Sequence, residues 1–241
     1  MSASFSFVHD DAAARRPPLP QAWTRPAPER LGAESGHGAG GHILHFSADG
    51  QIYADGDERL SYYRVLSGVV RTCKFRSDGR RQIDAFYLPG EAFGFEAGAR
   101  HTLCAEAVNE ASVVAHRWRG AGILPDDAHA AQELFTEALG ELRRAQEHSL
   151  LLGRRSALHK VGAFVLDIVD RLGARARCGD RAASATIELA MSRQDIADYL
   201  GLTIETVSRT LSQLERDEVI ALPSARRLRV VDRAALRCAA A

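Results

Sequence analysis

The chain has no surplus of either charge: 31 Lys and Arg stand against 31 Asp and Glu. That balance excludes a protein that coats nucleic acid through bulk electrostatics, but it leaves room for binding through a few placed guanidinium groups. Cysteine is scarce as well. Cys73, Cys104, Cys178 and Cys238 lie far apart and form no C-x-x-C pair, so their spacing supports neither a zinc ribbon nor a cluster loop. No apolar run approaches the roughly 18–20 residues that cross a bilayer, and charged, Pro-rich text replaces a hydrophobic signal region at the N-terminus. No nucleophile elbow, P-loop or metal-protease motif frames the Ser, His and Asp residues. These absences predict a cytoplasmic protein that is not an enzyme, with no metal, no cofactor and no membrane partner.

What is present is ordinary for a globular chain: 46% hydrophobic and 26% charged residues, and 241 positions, enough for two modest cores. Residues 1–40 are rich in Ala, Pro and Gly without a sustained apolar period, and read as a disordered lead. His37 and His42 stand near glycines but lack partners at ligand spacing. Over residues 41–125 the text becomes short strands punctuated by Asp49-Gly50, Asp55-Gly56, Ser67-Gly68, Asp78-Gly79 and Pro89-Gly90, the rhythm of an antiparallel β unit. Tyr63, Val65, Val69, Val70 and Phe75 fit strands around Ser67-Gly68. A cupin-like enzyme would need clustered His and Glu; His42, His45, His101 and His116 form no H-x-H pair, which favours a packed β-roll.

Residues 126–153 predict one long helix. Phe135, Ala138, Leu142, Ala145, Ser149 and Leu152 alternate steps of three and four, the period of a coiled-coil seam between two copies of the chain. Leu134, Leu139 and Leu150 fall off that seam and would pack back on the β-roll. Residues 154–241 open with a helix carrying Val161, Phe164, Val165, Ile168 and Leu172 inward. A polar loop follows, where Cys178 lies among Arg175, Arg177 and Arg181; nearby guanidinium charge favours thiolate, so Cys178 is the candidate redox thiol.

Within residues 191–216, MSRQDIADYLGLTIETVSRTLSQLER, the spacing predicts two short helices around Gly201. Ser192 and Asp195 make a capping-box-like start, with Ile196, Ala197 and Leu200 inward. Thr203 caps the second helix, whose inward positions are Ile204, Val207, Leu211 and Leu214. Glu205, Ser208, Arg209 and Ser212 share its outer side. Glu205 and Arg209 at i, i+4 would by themselves be an ordinary surface pair worth roughly 0.3–0.5 kcal/mol. Set on a helix-turn-helix, the same face can read base edges: Arg forks to guanine O6 and N7, a carboxylate accepts from cytosine N4, and Ser addresses either kind. Two strands about residues 223–227 then predict a wing with Arg226 and Arg227 near its tip, suited to phosphate. The tail from Asp232 reads as structurally unimportant. From Ser192 onward eight Arg meet seven acids, so DNA affinity would rest on placement.

Glu205-Thr206-Val207-Ser208-Arg209 resembles the E-x-x-S-R recognition pattern of the CRP/FNR family of bacterial transcription regulators, and the text of residues 62–81 and 195–209 is closest to its FixK-like branch. The resemblance runs from about Gly41 onward. It implies an α+β fold: an N-terminal antiparallel β-roll like a cyclic-nucleotide-binding domain, a dimerisation helix and a C-terminal winged helix-turn-helix. It also implies a homodimer on a palindromic double-stranded DNA operator with TTGAT-type half-sites, with Arg209 on guanine, Glu205 on the opposite cytosine and Ser208 on a thymine. Such regulators control low-oxygen or nitrogen-fixation genes, typically as activators that contact RNA polymerase. Oxygen-sensing relatives carry N-terminal cluster cysteines, and residues 1–72 contain none. Gly90-Glu91-Ala92-Phe93-Gly94 resembles the opening of a cyclic-nucleotide phosphate cassette, yet His101 and Thr102 occupy the positions of its Arg-Ser pair, which implies that no cyclic nucleotide binds. The alternative is an effector-gated regulator with another small ligand in the β-roll.

Overall fold

A computed structural model describes residues 41–118, 128–176 and 186–240. Its elements run β1 (His42–Phe46), β2 (Gln51–Tyr53), β3 (Ser61–Ser67), β4 (Val70–Phe75), β5 (Arg81–Tyr87), β6 (Ala92–Phe93), β7 (Cys104–Ala107) and β8 (Ala111–Arg117), then α1 (Ala128–Leu152) and α2 (Ala157–Ala176), then β9 (Ile187–Glu188), α3 (Arg193–Leu200), α4 (Ile204–Arg216), β10 (Ile220–Ser224), β11 (Arg227–Val230) and α5 (Arg233–Ala240). The fold is α+β. The predicted lead over residues 1–40, and the loop holding Cys178, lie outside the described residues.

Two antiparallel four-stranded sheets, ordered β1-β8-β3-β6 and β2-β7-β4-β5, make the roll. Their inner faces meet in one apolar cluster containing Phe46, Tyr53, Val65, Val70, Tyr87, Phe93 and Val113. The Ser67-Gly68 turn does not close a hairpin, because β3 and β4 belong to different sheets. Gly68 makes that crossing at φ 75°, and a Cβ there would stand 2.3 Å from the Glu110 carbonyl oxygen, so only glycine fits.

Strand β4 is buried on both sides. Val70 and Thr72 point into the roll, whereas Arg71 and Cys73 face outward, and all four are at most 4% exposed. The outer face is covered because the C-terminal half docks on it. Cys73, Ile83, Phe86 and Leu88 share one apolar cluster with Val161, Phe164 and Ile168 of α2 and with Ile196 and Leu200 of α3. Burying each large aliphatic side chain there stabilises by roughly 1.5–3 kcal/mol.

Helix α1 is fixed at its centre by Leu134, which is buried, and by the Tyr87 hydroxyl donating to Glu141 at 2.5 Å. Leu139 and Leu150 do not pack back on the roll: they are 50% and 75% exposed, on the outer side of α1 with Phe135 and Leu142. The tail also departs from expectation. It forms α5, whose Leu236 is fully buried, and whose backbone at Ala239 passes so close to α2 that a Cβ on Gly162 would lie 3.1 Å away. Arg233 pairs with Asp170 of α2, and Arg154 donates to the Ala240 carbonyl. The tail therefore closes the C-terminal core. Among the described residues no helix is long and apolar enough to cross a membrane.

Candidate nucleic-acid interface

The helix pair is built from its caps inward. Ser192 is extended at φ −70°, ψ 164°; its Oγ accepts from the Asp195 N–H at 3.0 Å, and the Asp195 carboxylate accepts from the Ser192 N–H at 3.0 Å. This is a capping box with Asp in the third position, satisfying two otherwise orphaned donors. Gly201 ends α3 in the left-handed region at φ 62°, where a Cβ is unfavourable. The last carbonyls of α3 are satisfied by three other elements: Gln82 of β5 donates to Asp198 O at 2.8 Å, His148 of α1 bonds Tyr199 O at 2.8 Å, and buried Lys160 of α2 donates to Leu200 O at 3.2 Å. Burial holds the His148 imidazole below its ordinary pKa, and its ring stacks on Tyr199 at 3.8 Å.

Thr203 caps α4 by accepting from the Thr206 N–H at 3.2 Å. Val207, Leu211 and Leu214 are buried against α2 and α3, as their period predicts. Ile204 is not inward; it is 39% exposed, and Thr210 takes an inner place instead, its hydroxyl donating to Thr206 O at 2.8 Å. Glu205, Ser208, Arg209 and Ser212 all stand exposed on the outer face. The Glu205 carboxyl lies below its ordinary pKa, held by its own backbone N–H at the helix start, then by Thr203 and by the charge of Arg209. No ion pair within 4 Å ties Glu205 to Arg209 among the described residues.

The wing is a three-stranded sheet ordered β10-β11-β9. Its tip is narrower than predicted. Pro223 and Ser224 belong to β10, the turn is Ala225-Arg226, and Arg227 lies within β11 opposite Glu188 of β9, a strand that the sequence reading missed. Arg226 and Arg227 are both exposed. On α1, Phe135 and Leu142 are 58% and 54% exposed, Ala145 and Ser149 are exposed, and Ala138 and Leu152 are partly covered. Leu139 and Leu150 widen this stripe beyond the predicted seam.

In the roll, Gly90 and Gly94 have positive φ, but Glu91 is committed internally. It accepts from Arg171 of α2 at 2.6 Å and from the Leu88 N–H at 2.8 Å. Burial works to raise its carboxyl, and these donors outweigh that and hold it below the ordinary range. His101 is 2% exposed; it stacks on Tyr53 at 3.6 Å and bonds Glu96 at 2.9 Å. Arg100 turns to the Gly56 carbonyl.

One set of contacts between the domains has no local signal in the sequence. Asp195, besides capping α3, accepts from Arg81 at 2.6 Å and Arg71 at 3.1 Å, and Arg81 also donates to Asp198 at 2.8 Å. Arg71 in turn donates to Glu106 at 2.8 and 2.9 Å and to Asp49 at 2.8 Å. The partners are up to 124 residues apart, so only the docked domains bring them together.

A β-roll joined by a long helix to a winged helix-turn-helix with an exposed polar face on α4 defines a transcription regulator that binds DNA. Residues 159–239 match the Crp-like helix-turn-helix domain. The chain is 50% identical over 197 residues to the nitrogen fixation regulation protein FixK of Azorhizobium caulinodans, covering 80% of this chain and 76% of that protein. It is 43% identical over 187 residues to FixK of Rhizobium meliloti, covering 78% and 82%. The solved structure of FixK2 from Bradyrhizobium japonicum superposes with a TM-score of 0.72 at 40% identity, covering 83% of this chain and 98% of that one. The chain therefore belongs to the CRP/FNR family of transcription regulators, on its FixK-like branch, and is not an enzyme.

Proposed function

We propose that this regulator works as a homodimeric activator in the cytoplasm, binding a palindrome of TTGAT-type half-sites and recruiting RNA polymerase to genes of low-oxygen respiration or nitrogen fixation. The observation that carries this is the free outer face of α4, with Glu205, Ser208, Arg209 and Ser212 all exposed. Arg209 addresses the guanine, Glu205 the opposite cytosine and Ser208 the thymine, while Thr203, Ser212, Arg226 and Arg227 meet sugar and phosphate. Two copies joined along Phe135, Ala138, Leu142, Ala145, Ser149 and Leu152 would set the spacing of two α4 helices in successive major grooves. FixK proteins, similar to this chain, are named for nitrogen fixation regulation, which supports the gene class.

The test is binding to a palindromic duplex against the same duplex with the half-site guanine replaced. Arg209→Ala is expected to lose ~1–3 kcal/mol on the intact site and to relax preference at that guanine. Equal losses on specific and scrambled duplexes would reduce Arg209 to a phosphate contact and remove the reading. The roll is proposed to take no cyclic nucleotide, because the Tyr53–His101 stack and Glu96 occupy one another and Glu91 is spent on Arg171. Micromolar cAMP or cGMP binding by calorimetry would overturn that.

A further inference from the structure

We propose that Cys73 and Cys104 form a reversible dithiol–disulfide pair, closed by a peroxide, on the face of the roll that seats α3. The two residues are directly opposed across the antiparallel β4–β7 ladder, although 31 positions separate them in the chain. Opposed residues in such a ladder have Cα atoms roughly 4.5–5.5 Å apart and side chains on the same face, inside the span of about 4.4–6.8 Å that a disulfide bridges. Both thiols are free, and each perturbs the ionisation of the other.

The two sulfurs are not equivalent. Cys73 is fully buried, and Cys104 is partly exposed. The neighbouring Cys73 thiol lowers the Cys104 thiol to about 7, with help from the Asp55 backbone and against the effect of burial, while Cys104 and burial push the Cys73 thiol up. Cys104 is thus the attacking thiolate and Cys73 the resolving thiol. The Cys104 sulfur attacks one peroxide oxygen; the O–O bond breaks, hydroxide leaves, and a sulfenic acid forms. The Cys73 sulfur then attacks that sulfur; the S–S bond forms, the S–O bond breaks, and water departs with the Cys73 proton. Two electrons pass from the sulfur pair to the peroxide, and a dithiol reductant reverses the step.

The pair is placed to report on α3. Two residues back along the same ladder, on the same face, Arg71 opposes Glu106, and Arg71 holds Asp195 at the start of α3. Cys73 itself lies in the apolar cluster shared with Ile196 and Leu200, and Cys104 packs against that cluster. Drawing the two sulfurs together into a bond of about 2.05 Å pulls volume out of this contact and loosens the seat of α3. Among the described residues no group of three or more His, Cys, Asp or Glu is placed to hold a metal, so the pair has no third ligand that would favour a metal over oxidation.

The experiment treats the native full-length chain with hydrogen peroxide, blocks remaining thiols, and maps peptides by mass spectrometry, with amide hydrogen exchange measured in parallel. The expected result is a Cys73–Cys104 cross-linked peptide, removed by dithiothreitol, with several-fold faster exchange across α3. The same cross-link should form in a Cys178→Ala/Cys238→Ser chain and be lost in Cys73→Ser, where Cys104 goes on to sulfinic acid. Native chain in which Cys104 stays unmodified or ends as sulfinic acid without the cross-link overturns the pair; cross-linking with unchanged α3 exchange overturns its coupling to the helix. Neither readout requires DNA, so failure here and failure of the DNA-reading assignment are separate results.

Discussion

Glu141 shows how a single side chain can be kept in place against its own preference. It lies between α1 and the roll, accepting from the Tyr87 hydroxyl at 2.5 Å, while its other oxygen is buried without a partner. Burial pushes its carboxyl up to about 6; the Tyr87 hydroxyl and Arg144 oppose this, and Glu96 and Asp84 add to it. A carboxyl whose folded pKa exceeds the unfolded value of about 4.3 favours folding most below that value and loses the advantage as pH rises through about 6. Glu141→Gln keeps an acceptor for Tyr87 and removes the buried charge. Thermal unfolding should therefore find the variant more stable by about 1–2 kcal/mol at pH 7, with the two curves converging below pH ~4.5. A constant difference across that range would assign the effect to packing. The lowered carboxyl of Glu205 has the opposite meaning: α4 presents a charged acceptor at neutral pH.

At the scale of elements, α1 is the helix with the least covered apolar side. Phe135, Leu139, Leu142 and Leu150 are each at least half exposed. If two copies meet there, each substitution acts twice, and Leu142→Glu should weaken self-association by roughly 3 kcal/mol or more, about a hundredfold in the dissociation constant. Sedimentation equilibrium measures this directly, and an unchanged dimer would place the interface elsewhere. The long helix is legible because helical period survives in text; which of its apolar residues stay exposed is not, since Leu139 and Leu150 could be assigned inward or outward only once the roll's position was known. The helix-turn-helix was the most legible part, because Ser192, Gly201 and Thr203 are local devices acting over three or four residues. Ile204 was misplaced because a first-turn residue keeps the period yet overhangs the core. Strand β4 hid its alternation because both of its faces are buried, and α5 was missed because its one large buried contact, Leu236, is set among alanines. The Cys73–Cys104 pairing depends on ladder register, which cysteine spacing alone does not carry.

For the whole molecule, the question is what holds the reading head against the roll. Apolar contact supplies the area, but direction comes from Arg71 and Arg81 meeting Asp195 and Asp198. Arg71 and Asp195 are almost entirely out of water, with side-chain exposures of 5% and 6%. Burial acts to raise the Asp195 carboxyl, and Ser192, Arg71 and Arg81 outweigh it and hold it low. Its contribution is thus present above the unfolded aspartate value of about 3.9 and is lost as pH falls through the lower folded value. A buried pair adds little net stability over an apolar replacement, yet removing one member strands the other. Arg71→Met leaves Glu106 without its main cation and Asp195 with Arg81 alone, so unfolding free energy should fall by about 3–5 kcal/mol. Adding Glu106→Gln removes the stranded charge and should restore a sizeable part of that loss, whereas the same Gln change in the native background should itself destabilise. Denaturant unfolding of the four proteins closes this cycle. Additive losses would mean that Arg71 and Glu106 act independently, so that the loss in Arg71→Met comes from its contacts to Asp195 and Asp49 rather than from a stranded Glu106.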